Sequence, residues 1–129
     1  MSSKCKMVSL DTSIRCTGYC VWNDGIYKRS GIISPPPKTI GDDALKTEAS
    51  LILELLDKEK PDIIVVENTY QSGNLQVYRK LSMLVGVVLG WAVSHDCFFE
   101  ALEAKRWRSA INTEFAKMKR TDAKAYSIQ

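Results

Sequence analysis

The run MVSLDTSIRCTGYCVWNDGIYKRSGII, Met7 to Ile33, decides the architecture. Met7 to Leu10 is apolar or small and leads straight into Asp11, which predicts a strand that delivers a carboxylate at its end. Thr17 to Trp22 and Ile26 to Ile33 flank Asn23-Asp24-Gly25, a hairpin signal, because a tight turn between strands needs residues that tolerate positive φ. Three sequential antiparallel strands follow, and Ser34-Pro35-Pro36-Pro37 ends them, proline having no N–H to give a sheet. From a cap at Asp42 or Asp43, the residues Leu45, Ile52, Leu55 and Leu56 keep helical spacing until Lys60-Pro61. Ile63 to Val66 is an apolar, β-branched run suited to a strand buried on both faces, with Glu67 at its exit. Asn68 to Gly73 is polar and loop-like. A second helix is expected from Asn74 to Ser94, with Leu81, Leu84, Val85, Val88 and Ala92 on one side and Gly86 and Gly90 permitting close packing. Cys97 to Leu102 reads as a fifth strand, and Lys105 to Ile111 and Thr121 to Gln129 as basic, helix-compatible segments. The order β-β-β-α-β-α-β-α implies an α/β fold: a mixed five-stranded sheet, its first three strands antiparallel, with helices against its faces.

A chain of 129 residues with 45% hydrophobic content suits one compact domain. Cys5, Cys16, Cys20 and Cys97 lack CxxC spacing and the N-terminus lacks a secretion-signal pattern, so a reducing, cytoplasmic setting is expected. Buried free thiols are expected rather than a zinc site, since Cys16 and Cys20 have no partner ligands nearby. The apolar stretch Leu81 to Val93 falls short of the roughly 20 residues a bilayer requires, so it is expected to form a buried helix, with no membrane association. Charge is uneven. Positions 104 to 129 hold seven Lys or Arg against two acids, a net +5 in a chain whose total is +3, and a polyanion would lie at that basic end.

Two strands therefore end in acids. If the strands bearing Asp11 and Glu67 are neighbours with their carboxyl ends together, both carboxylates face one cleft. Phosphodiester hydrolysis needs an activated water and neutralised charge on the leaving oxygen, which two Mg²⁺ ions about 4 Å apart supply, and Mg²⁺ takes oxygen ligands. Each acid by itself reads more readily as an ordinary residue in a loop after a strand.

Four blocks, in order, resemble the RuvC-type Holliday-junction resolvases of the ribonuclease H-like class. They are Ser9-Leu10-Asp11-Thr12-Ser13-Ile14-Arg15-Cys16-Thr17-Gly18-Tyr19; Pro61-Asp62-Ile63-Ile64-Val65-Val66-Glu67-Asn68; Asn74 to Gly86 with Lys80-Leu81; and Thr121 to Gln129 with Lys124. The resemblance implies a ribonuclease H-like fold and metal-dependent cleavage of four-way DNA junctions in recombination and repair. By it, Asp11 and Glu67 hold Mg²⁺ (or Mn²⁺), and Asp11, Glu67 and Lys124 form the catalytic set. Lys80 and Lys124 approach backbone phosphates near the scissile bond, and Tyr70 stacks on an unpaired base at the opened junction. Arg79, Lys105, Arg108, Lys119 and Arg120 complete the expected DNA contacts. A two-fold substrate implies a homodimer, with the helix from Asn74 to Ser94 as its expected interface. The alternatives are a non-catalytic junction-binding module and another ribonuclease H-like nuclease. The sugar-kinase and actin-like ATPases open similarly, but on a Gly-rich phosphate hairpin where this chain has Thr12-Ser13.

One departure from the family pattern is large. Relatives complete the metal site with two acids on the last helix, beyond the lysine matched by Lys124, whereas this sequence ends five residues after it. Asp122, before that lysine, reads as an N-cap. The sequence is therefore expected to be a C-terminally incomplete RuvC-like domain, either truncated or lacking half of its metal site, that binds metal poorly and cleaves slowly or not at all.

Overall fold

The computed structural model describes residues 5–68 and 74–103. Its elements are β1 (Lys6–Asp11), β2 (Thr17–Asn23), β3 (Ile26–Ile33), α1 (Gly41–Glu59), β4 (Ile63–Asn68), α2 (Leu75–Ser94) and β5 (Phe98–Glu103). The expected final helical segments lie outside the described residues.

The hairpin forms as its turn chemistry dictates: Asp24 and Gly25 both take positive φ, 51° and 81°, the primed-turn geometry that matches strand twist. The five strands form one sheet in the order β3-β2-β1-β4-β5. β1 pairs antiparallel with β2, and β2 with β3, the latter pairing shifting register at Val21/Trp22. β1 and β4 are parallel, as are β4 and β5, and parallel neighbours require the crossovers that α1 and α2 provide.

Alternation along the strands sends Val8, Leu10, Val21, Ile64 and Val66 into one core with Ile52, Leu55 and Leu56 of α1 and Leu84, Val88, Trp91 and Ala92 of α2. Burying each large aliphatic side chain contributes about 1.5–3 kcal/mol, so this layer dominates the fold's stability. Trp91 Nε1 donates to Asp57 Oδ1 at 2.8 Å, joining the helices, and the His95 ring stacks on the indole with centroids 4.0 Å apart.

Several expectations are corrected. β4 is not buried on both faces: Ile64 and Val66 are, but Ile63 and Val65 are half-buried, because α1 and α2 share the side of the sheet that carries Val8 and Leu10. Asp42 and Asp43 lie in the first turn of α1, where carboxylates favour the helix dipole, while the cap position is Ile40 with no side-chain bond. β4 runs on through Glu67, and β5 starts at Phe98 rather than Cys97. The four thiols are free, but Cys16 is exposed and the others half-buried, because Cys16 precedes β2 in the turn.

The helix expected to be buried is largely exposed, with 22% of its apolar span buried. α2 has 20 residues and is long and apolar enough by length and composition alone to cross a bilayer. Its inner side packs on α1 and the sheet, while Leu75, Met83, Leu89 and Val93 are exposed. Only one side of a helix can face a single core layer.

At the far end of β1, Glu59 is buried at the end of α1 and pairs with Lys6 Nζ at 2.9 Å and with the Arg29 guanidinium. The Arg29 hydrogen bond, opposed by burial and reinforced by Lys6, holds the Glu59 carboxyl below its usual range. A depressed carboxyl stabilises the fold above its unfolded pKa of about 4.3, and that contribution is lost as pH falls through the folded value. Because both cations are partly exposed, solvent screens the pairs. Glu59→Gln is expected to lower the thermal midpoint at pH 7 by about 3–6 °C, and the difference should shrink below about pH 4 in a calorimetric series.

Candidate functional site

Register places the two acids. Leu10 pairs with Val66 in the parallel β1–β4 ladder, so Asp11 and Glu67 follow one step on at the same level of neighbouring strands. Such strands lie about 4.8 Å apart, and residues in step point to the same face. Leu10 and Val66 enter the helix-covered core, so Asp11 and Glu67 stand on the opposite face of the sheet. Asp11 is exposed and Glu67 half-buried. The expected pair is thus brought together by backbone pairing alone.

The turn after Asp11 is tightly tied. Thr17 is buried at the start of β2, and the next residue, Gly18, pairs with Asp11 across the ladder. Thr17 Oγ1 donates to the Ser13 carbonyl at 2.9 Å and accepts from Ser13 N at 3.2 Å, closing the turn on itself. Arg15 Nη1 donates to the Thr39 carbonyl at 2.6 Å, linking the turn to the segment before α1. From beneath, Glu48 Oε2 accepts from Thr17 N at 3.1 Å. Glu48 was not among the residues expected at the site. The signal was present: it falls on the stripe of α1 that includes Ala44, Ile52, Leu55 and Leu56, where a carboxylate is anomalous.

Past the 69–73 segment, Asn74 caps α2, its Oδ1 accepting from Gln76 N at 3.0 Å and Val77 N at 3.2 Å. That cap fixes where α2 begins and so where Arg79, exposed, and Lys80, half-buried, stand on its first turns. Tyr70, Lys105, Arg108, Lys119, Arg120 and Lys124 lie outside the described residues, as does Asp122.

Carboxylates offer oxygen donors, which a hard cation such as Mg²⁺ prefers and a soft one does not. Among the described residues no group of three or more His, Cys, Asp or Glu side chains is gathered as a metal site.

No protein-family model matches the sequence, and no curated protein matches it. Solved structures do match in backbone. RuvC of T. thermophilus in complex with a Holliday junction substrate superposes with a TM-score of 0.67 at 15% identity, over 83% of this chain and 69% of that one. A second Thermus thermophilus RuvC structure gives 0.66 at 14% identity, over 95% of this chain and 77% of that one. The yeast mitochondrial Holliday junction resolvase Ydc2 gives 0.59 at 18% identity, over 95% and 60%. At these identities the likeness is one of fold: the chain has the ribonuclease H-like fold shared by these resolvases.

Proposed function

We propose that this chain is a structure-selective endonuclease that cuts four-way DNA junctions by metal-dependent phosphodiester hydrolysis. The observation that carries the reading is the pair Asp11 and Glu67, level with one another on adjacent parallel strands and facing away from the helix layer, in a fold shared with junction resolvases. Asp11 and Glu67 would hold Mg²⁺ or Mn²⁺. When bound, the metal neutralises charge on the phosphate and lowers the pKa of a water. The chain's own residues do the rest. Lys80, with Lys124, neutralises phosphates beside the cut, while Arg79, Lys105, Arg108, Lys119 and Arg120 follow the DNA backbone. Tyr70 offers a π-face to an unpaired base, a contact of about 1–3 kcal/mol. Further carboxylates on a helix after position 129 would complete the metal set, and residues 1–129 would then be one incomplete nuclease domain.

A second copy of the chain completes the proposed enzyme, since a junction with two-fold symmetry presents two equivalent scissile bonds. The exposed apolar side of α2 is its proposed seat. Free thiols accord with work in a reducing compartment, the cytoplasm.

The test is cleavage of a four-way junction, a flapped duplex and a plain duplex of matched sequence, each with Mg²⁺, Mn²⁺ or a chelator. Cutting of the junction at least about tenfold faster than the others, abolished by chelation, is expected. Equal cutting of flap and junction would assign a different ribonuclease H-like nuclease, and junction binding without cutting a binding module. In the same system Arg79→Ala and Lys80→Ala should each flatten the log–log salt dependence of junction binding by about 0.9 for every phosphate left without its cation. An unchanged slope would return both residues to the solvated surface.

A further inference from the structure

Glu48 is an anomaly of packing. It is fully buried on the inner stripe of α1, and its Oε1 has no hydrogen-bond partner among the described residues. A buried polar atom left unpaired is costly, and an apolar residue of similar size would serve the core better. What the carboxyl does accomplish is specific: Oε2 accepts the Thr17 N–H, the donor that β2 presents as it leaves the turn. Thr17 in turn holds Ser13 through two hydrogen bonds, and Gly18 pairs with Asp11. A single buried side chain of the helix layer thus reaches through to the backbone that shapes the opposite, acid-bearing face.

We propose that Glu48 is a positioning residue, whose buried carboxyl fixes the Ser13–Thr17 turn through the Thr17 N–H and thereby sets the place of Asp11 without touching metal or DNA. Burial pushes the Glu48 carboxyl up, opposed in part by the bonds to Thr17. Neutral glutamine can replace it in that role, whereas aspartate, one methylene shorter, cannot reach.

The assignment of a catalytic consequence rests on the nuclease reading above, but the turn itself can be followed without it. Amide hydrogen exchange is measured at Thr17 and Val21 in the wild type, E48D and E48Q, alongside the Mg²⁺-dependent rate on a four-way junction. In E48D, exchange at Thr17 should quicken at least about tenfold, the loss expected for one buried hydrogen bond, while Val21 stays protected. The junction kcat should fall by a similar factor with KM unchanged, and E48Q should restore both readouts. Three results would overturn the proposal: unchanged Thr17 protection in E48D, equal acceleration at Val21, which marks global loosening, or equal damage in E48Q. If the wild type cuts no junction, the exchange data still decide whether Glu48 holds the turn.

Discussion

Asp11→Asn and Glu67→Gln should each lower metal-dependent junction cleavage by at least about 100-fold, the order seen when one charge-stabilising group is removed from an active site. The amides keep the size and shape of the side chains, so neither the β1–β4 ladder nor the core behind it should change. Each substitution removes one of two negative charges that would hold a divalent cation against its hydration shell. Junction binding should stay within about threefold, because affinity for DNA comes chiefly from Lys and Arg contacts to phosphate. Single-turnover cleavage and a gel-shift titration on the same junction separate the two effects. Cleavage by either variant at the wild-type rate would remove both acids from the metal-binding role.

Leu89→Lys should convert the proposed dimer into a monomer that keeps the fold, raising the dissociation constant by roughly 100-fold. Leu89 is 45% exposed and Val93 73%, whereas Leu84, Val88, Trp91 and Ala92 of the same helix are buried. A side chain added at Gly86 or Gly90 would meet nothing within 4 Å, so a second helix could approach closely there. In a two-fold interface every substitution acts twice, so even about 1–1.5 kcal/mol per copy amounts to two decades in the dissociation constant. Light scattering and the thermal midpoint decide the matter together. A variant that stays dimeric, or a wild type that is monomeric at working concentration, would place the contact elsewhere or dispense with it. Loss of dimer should also uncouple the two cuts in a junction, so that nicked intermediates accumulate.

Local chemistry made much of the fold legible in the sequence. Asn23-Asp24-Gly25 required a hairpin because its turn needs positive φ, and the β-branched run from Ile63 announced a strand because such side chains pack well on a pleated surface. Asn74 marked the start of α2 through its side-chain oxygen, and Pro61 the end of α1 through its missing N–H. Asp11 and Glu67 stood out as acids closing apolar strand-like runs. Their residue type and position were set by the sequence alone.

What required the tertiary structure is everything that depends on which elements become neighbours. The sequence contains no local statement that Leu10 pairs with Val66; that register arises because the hydrophobic faces of β1 and β4 must both meet α1 and α2, and it is what aligns the two acids. Glu48 and Glu59 look alike as charges on one helix. Only the fold gives Glu59 two cations and Glu48 a backbone N–H, with one oxygen unpaired among the described residues. Likewise the apolar length of α2 predicted burial, whereas packing covers only the side that meets α1 and the sheet. Periodicity and turn chemistry act over a few residues and are written in the sequence, but burial, register and the partner of a charge are properties of contacts between distant segments, decided by how two layers share one core.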